Sequence, residues 1–321
     1  MTTRRLQIVF FGTAEFAVPS LEALLEAGHT VQAVVTQPDR PQGRGLQQVA
    51  SPVKKAAQMH GLPILQPRRV RAESFLAEMR ALAPEVLALA AFGQIVPQAL
   101  LDLPPLGPIN VHGSLLPKYR GAAPIQRAIM AGETLTGVTT MWMAATLDTG
   151  DMLLAESLPI LPDDTAGTLT PKMATLGARL LVQTLDGLAA GTLARRPQDD
   201  AEATLAPAIQ PEDGQIRWEE PAPALWNRIR GVSPKPGAYS EIRGRRVKIW
   251  SAQPADAPSD VAPGVVIGFS RNPPGLLVGA GHGTALCLLE AQPDNGRRMS
   301  AADWARGLRL APGDSFSLQR P

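Results

Sequence analysis

Cysteine is nearly missing from this chain. A single one, Cys287, occurs in 321 residues, which excludes an intrachain disulfide and any zinc site built on several thiolates. Its neighbours Ala285, Leu286, Leu288 and Leu289 predict a buried strand residue rather than a reactive thiol. Histidine is also scarce: four are present, and no two share a metal-ligand spacing such as i, i+4, so no metal is expected. Aromatics make up only 4%. Charge excess is small, with a formal net charge of +2, so no global field favours polyanions. Residues beyond 205 are slightly more basic than those before. The first apolar run is too short for a signal-peptide core or a membrane span, and no amphipathic transit helix precedes it. A cytoplasmic protein with no membrane partner is the expectation.

What is plentiful is proline (31) and glycine (29), which predict many loops. The length predicts two domains. Residues 6–11 form an apolar run closed by Gly12. A helical periodicity follows (Phe16, Leu21, Leu24, Leu25) up to Gly28, then a second apolar run at 30–36. This βαβ opening predicts a doubly wound, mostly parallel sheet. Gly12 stands alone where a dinucleotide fingerprint needs three glycines, so it reads as a tight turn. Residues 37–50 form a long polar loop carrying Arg40 and Arg44, in which Pro and Gly oppose regular structure. Ser51-Pro52 reads as a cap-plus-proline helix start. Strands are predicted at 63–67, 85–93 (ending in a turn at Gly93), 108–112, 136–143 and 151–160, and helices at 71–82, 124–131 and 165–190. Residues 194–210 lack any period and read as a linker. Beyond it, short runs at 239–242, 246–250, 264–268, 275–279 and 284–290, separated by Gly and Pro, predict a small β-barrel.

The chemistry centres on Asn110-Val111-His112-Gly113-Ser114-Leu115-Leu116-Pro117. Residues two apart in a strand share a face, so Asn110 and His112 point the same way at a strand's end, where open α/β sheets hold ligands. His29, His60 and His282 each neighbour a glycine and read as surface turn residues. Leu147-Asp148-Thr149-Gly150-Asp151 can bring a carboxylate to the same place. One Asp-Thr-Gly in a chain of this composition does not make an aspartic protease, which needs two. Ser114 lacks the Gly-x-Ser-x-Gly elbow of a hydrolase. Asn, His and Asp together suit acyl transfer to an amine. Attack on a carbonyl carbon develops an oxyanion, which amide and imidazolium donors stabilise. It also sheds a proton, which a carboxylate–imidazole pair can move.

These residues, with Tyr119-Arg120-Gly121-Ala122-Ala123-Pro124, resemble the 10-formyltetrahydrofolate-dependent formyltransferases. Phe11-Gly12-Thr13-Ala14-Glu15-Phe16-Ala17, the Gln37-Pro38-Asp39-Arg40-Pro41 loop and Val247-Lys248-Ile249-Trp250 extend the resemblance over nearly the whole chain and match the tRNA-directed branch. The resemblance implies a Rossmann-like catalytic domain at 1–193 with helices on both faces of its sheet, a linker at 194–210, and an OB-like, tRNA-binding β-barrel at 211–321. It implies that Asn110, His112 and Asp148 are catalytic. Ser114, Leu115, Leu116 and Pro117, with Phe92 and Gly93, are then the folate-side residues, and Arg40 and Arg44 meet tRNA. The implied reaction moves a formyl group from 10-formyltetrahydrofolate to the α-amino group of initiator methionyl-tRNA, for translation initiation, in a monomer. The alternatives are a formyltransferase acting on a glycinamide nucleotide or an amino sugar nucleotide, and a folate- or RNA-binding protein without catalysis.

Overall fold

The structure is a computed structural model and describes residues 4–42, 47–256, 258 and 261–317. It falls into two compact units. The first takes most of the chain up to Pro207. The second takes Ala208 onward together with Ile125–Thr134 and Ile160–Leu169.

In the first unit β1 (Gln7–Gly12), α1 (Val18–Glu26) and β2 (Thr30–Val35) open the chain. Then come β3 (Arg40–Gln42), β4 (Gln47–Val49), α2 (Pro52–Met59), β5 (Ile64–Leu65), α3 (Glu73–Leu82), β6 (Val86–Ala90), α4 (Gln98–Leu101) and β7 (Pro108–His112). After α5 (Pro124–Met130), which apart from Pro124 counts with the second unit, follow β8 (Leu135–Trp142), β9 (Met152–Pro159) and α6 (Ala166–Ala189), whose first turn also counts with the second unit. Seven strands form one sheet in the order β5-β2-β1-β6-β7-β8-β9. Pairing is parallel from β5 to β7 and antiparallel at β7–β8 and β8–β9. This is the mostly parallel sheet that the βαβ opening predicts. The chain builds to one side of β1 through β2 and β5, then crosses to β6 on the other. That reversal leaves a crevice outside the carboxyl ends of β1 and β6.

All five residues of β6 are buried, as a central parallel strand requires. Each buried Val or Leu side chain there contributes about 1.5–3 kcal/mol relative to exposure. Phe11 anchors the core below the crevice, meeting Phe75 and Phe92 edge-on with ring centroids 6.4 and 5.2 Å away. The Ser51 side chain accepts from the backbone N–H of Lys54 and Pro52 is the first helical residue, so the α2 start is capped as its sequence indicates.

Two expectations are corrected. The 37–50 stretch is not free of regular structure: β3 and β4 pair antiparallel, Arg40 opposite Val49. Pro41 is tolerated there because a two-stranded ribbon leaves each strand an open edge for a residue without an N–H. His29 is not a surface residue but is buried. Its Nδ1 accepts from the backbone N–H of Leu6. Burial holds its pKa below the usual 6.5, and Asp186 opposes that only in part.

The second unit carries α7 (Ala222–Gly231), β10 (Ala238–Ile242), β11 (Arg245–Ala255), β12 (Val266–Arg271), β13 (Pro274–Ala280), β14 (Thr284–Pro293), β15 (Met299–Ser300) and α8 (Ala301–Gly307). Its antiparallel sheet runs β10-β11-β14-β13-β12, with β15 on β14. Residues 314–317 join the two outer strands. The Ser317 N–H donates to Glu241 O at 2.7 Å and the Val266 N–H to Asp314 O at 2.7 Å. Both edges are thereby covered, as in a closed barrel. Trp218 fills the centre, its ring 4.9 Å from that of Phe316 and its indole N–H bonded to Ser240. Cys287 is buried on β14, and burial pushes its thiol pKa up. The helices α7 and α8 are absent from the strand-only reading of this region. Within α7, Leu225 and Ile229 give the i, i+4 spacing that marks the buried face, but with only ten residues the pattern is short.

Candidate active site

The site begins with the alternation of β7. Val111 faces α6, where a Cβ on Gly177 would come within 2.6 Å of its methyl carbon. Asn110 and His112 therefore face the other side. Asn110 is half-buried, and its amide has no hydrogen-bond partner among the described residues, so its donors remain available to a ligand. His112 is buried, and its Nε2 lies 2.9 Å from Tyr119 O. A carbonyl only accepts, so Nε2 carries the hydrogen. Nδ1 then faces Asp148, with Oδ2 at 3.6 Å. Sequence distance is bridged here by two backbone devices. Tyr119 has a φ of 62° and Asp148 a φ of 51°, left-handed conformations that non-glycine residues adopt at a cost of roughly 1–2 kcal/mol. The Gly121 N–H donates to Asp148 Oδ2 at 2.9 Å.

Residues 114–118 form a tight turn. Ser114 is fully buried, and its hydroxyl donates to Lys118 O at 2.6 Å, so it shapes the turn rather than presenting an O–H outward. Thr139, on neighbouring β8, donates to Ser114 O at 2.7 Å and accepts from the Leu116 N–H at 3.1 Å. Leu116 is buried, while Leu115 and Pro117 are half-buried. Phe92 and Gly93 follow β6, the strand next to β7. The Phe92 ring packs into the core, whereas its carbonyl accepts from Thr13 Oγ1 at 2.9 Å and Gln37 Nε2 at 3.3 Å. Gly93 has a φ of 85°.

Outside the ends of β1, β2 and β6 lies a cleft of roughly 560 Å³, lined among others by Thr13, Gln37, Arg40, Lys55, Phe92 and Gly93. Arg40 is exposed and donates to Gln37 Oε1 at 3.2 Å. Next to it, hydrogen bonds from Lys54 and then Gln66 hold the Asp39 carboxyl below its usual range. Arg44 lies outside the described residues. Of the described sequence-predicted residues, Phe92 and Gly93 follow β6, Asn110 and His112 end β7 with residues 114–117 after them, Asp148 lies in the turn after β8, and Arg40 is on β3. Among the described residues no group of three or more His, Cys, Asp or Glu could hold a metal ion, and no helix is long and apolar enough to cross a membrane.

Sequence reading missed two sets of residues. Thr13, Gln37 and Thr139 tie the strand ends together through contacts that only the folded sheet creates. In the second unit Tyr239 stands opposite Lys248. Arg246 stacks on Tyr239 at 3.6 Å, and Lys248 and Arg298 flank Trp250 at 5.7 and 5.3 Å. Arg246, Lys248 and Trp250 at every second position of β11 were the available signal for this face.

Comparison with known proteins matches residues 5–185 to the formyl transferase family and 208–309 to the formyl transferase C-terminal domain. The chain is 51% identical to a methionyl-tRNA formyltransferase of Solibacter usitatus, covering 97% of this chain and 98% of that protein. It is 52% identical to one of Koribacter versatilis, covering 96% and 98%. Among solved structures, an N-formyltransferase from Helicobacter canadensis shares the fold with a TM-score of 0.65 at 18% identity, covering 89% of this chain and 99% of that one. The chain belongs to the methionyl-tRNA formyltransferase family.

Proposed function

We propose that this protein transfers the formyl group of 10-formyltetrahydrofolate to the α-amino group of initiator methionyl-tRNA, in the cytoplasm and as a monomer. The observation that carries the reading is His112 set against Asp148 at 3.6 Å beside Asn110. The co-substrate supplies a formyl group on a nitrogen that can leave. Asn110 donates its amide N–H to the formyl oxygen as that oxygen gains charge. The His112 ring keeps Nε2–H on the Tyr119 carbonyl and turns Nδ1 toward the Asp148 carboxylate, which fixes the imidazole on the face of β7 that it shares with Asn110. Asp148 keeps Oδ2 on the Gly121 N–H, which leaves Oδ1 to take the proton that the attacking amine sheds; as the new formyl C–N bond forms, the bond to the co-substrate nitrogen breaks and the same proton passes to that leaving nitrogen.

The apolar 115–117 segment and the exposed backbone of Gly93, next to Phe92 at the cleft wall, fit a flat, ring-bearing ligand. We assign residues 114–117, Phe92 and Gly93 to the folate side, with Ser114 acting through the turn it holds. Arg40 and Arg44 are assigned to the tRNA acceptor end, residues 1–193 to catalysis and 211–321 to tRNA binding. The cation–aromatic face of β10 and β11 supports this last assignment, since phosphate contacts and stacking are what RNA offers.

A single-turnover assay with charged initiator tRNA, charged elongator tRNA, a glycinamide nucleotide and an amino sugar nucleotide tests the reading. Formylation confined to charged initiator tRNA is the expected result. Preferential formylation of a small amine overturns it.

A further inference from the structure

The segment at 198–206 contains no residue with an evident chemical task, yet it is bonded to Asp148 and to Tyr119 and Arg120, of which Tyr119 meets His112. The Gln198 Nε2 donates to two backbone carbonyls, Asp148 O at 2.8 Å and Gly150 O at 2.7 Å. These carbonyls bracket the turn that presents Asp148. Its Oε1 accepts from Arg120 Nε at 3.0 Å. The amide orientation is fixed by its partners: a guanidinium only donates and a carbonyl only accepts. The buried Arg120 guanidinium is anchored further by Asp200 at 2.7 Å. Its backbone N–H donates to Thr204 O at 2.8 Å, and its carbonyl accepts from Ala206 at 2.7 Å. The Tyr119 N–H donates to Thr204 Oγ1 at 2.9 Å. Arg120 thus sits between the two residues that touch the pair from the other side. Tyr119 accepts from His112, and Gly121 donates to Asp148.

We infer that Gln198 is a positioning residue for formyl transfer. Its amide locks the Asp148 turn to the 119–121 strap, and so holds the Asp148 carboxylate against His112. Two donors and one acceptor in a single planar group are required, which a glutamate in the same place cannot supply. The inference rests on the formyl-transfer reading above.

The test compares Gln198→Glu and Gln198→Met with the full-length wild type. Folding is checked by circular dichroism and thermal melting, and methionyl-tRNA formylation by steady-state kinetics. The expected result is a kcat lowered by about 10- to 100-fold, KM for tRNA and folate within about threefold, and a displaced pH profile of kcat. Because Gln198 acts through Asp148, the same substitutions change kcat by less than about threefold in an Asp148→Asn background. The inference is overturned by near-normal kcat in a folded variant, by a loss confined to KM, or by an equal loss in the Asp148→Asn background. Failure of both variants to fold also overturns it and makes Gln198 a scaffold residue. An inactive wild type overturns the functional reading and this inference together, whereas an active wild type with unimpaired variants overturns this inference alone.

Discussion

Gly150→Ala concentrates its effect on the catalytic turn. A Cβ at residue 150 would lie 1.8 Å from Trp142 O and 3.1 Å from Ala144 N. A carbon–oxygen contact tolerates about 3.2 Å, so something must move by roughly 1.4 Å. Trp142 sits on β8, where its N–H is bonded to Asp151 O at 2.8 Å and its neighbour Met141 pairs with Asn110. The turn therefore yields rather than the sheet. A shift of that size carries the bonds from Gln198 and from the Gly121 N–H, now 2.7–2.9 Å, beyond hydrogen-bond range. It also draws Asp148 off His112. A misplacement of about 1 Å costs on the order of 100-fold in rate, while overpacking costs about 1–3 kcal/mol of stability. Steady-state formylation of methionyl-tRNA at 25 °C, with a thermal melt of the same sample, separates the two effects. Gly28→Ala is the control. Gly28 has a φ of 80° with nothing within 4 Å of a Cβ, so it strains the backbone at the far end of β2 and leaves kcat unchanged. A Gly150→Ala enzyme with kcat within about threefold of wild type refutes the reasoning.

Arg40→Ala raises KM for tRNA and lowers the dependence of log affinity on log salt by about 0.7–0.9, the share of one phosphate contact; titration at low and moderate ionic strength reads it. For His29 the folded-state pKa lies below 6.5 because of burial, so the unfolded chain takes up the proton first. Its contribution to stability is complete above about pH 6.5 and is lost as pH falls toward the folded-state value. Urea unfolding at pH 7.5 and 5.5 should show that slope, and His29→Asn, which keeps an acceptor for the Leu6 N–H, should flatten it. In the second unit Arg127 forms two bonds to Asp213 at 2.9 and 2.8 Å, both side chains one-fifth exposed. Arg127→Ala is expected to destabilise by about 1–3 kcal/mol in the same assay.

Local chemistry made much of this legible in advance. The βαβ opening, the Ser51 cap and the shared face of Asn110 and His112 depend on periods and caps that act over a few residues. Where long-range contacts decide, the sequence was silent or misleading. His29 looks like a turn residue because a glycine precedes it. It is nevertheless buried, with its hydrogen-bond donor on Leu6, in the segment entering β1, and its charged neighbour Asp186 on α6, both distant in sequence. The β3–β4 pair was hidden because proline and glycine usually mark loops, whereas a two-stranded ribbon has open edges that tolerate proline. The short α7 and α8 show too few turns for a helical period to stand out among neighbouring strands. Gln198 could not be found at all. Its importance comes from two carbonyls some fifty residues away and an arginine farther still.

The most direct test of the central claim is the single-turnover rate of formyl transfer to methionyl-tRNA, wild type against Asp148→Asn, with both substrates saturating. Formylation by the wild type and a rate lowered by about 100- to 10,000-fold in a variant that melts normally is the predicted result. A variant rate within about threefold of wild type contradicts the assignment of Asp148, and a wild type that leaves methionyl-tRNA unformylated contradicts the proposed function itself.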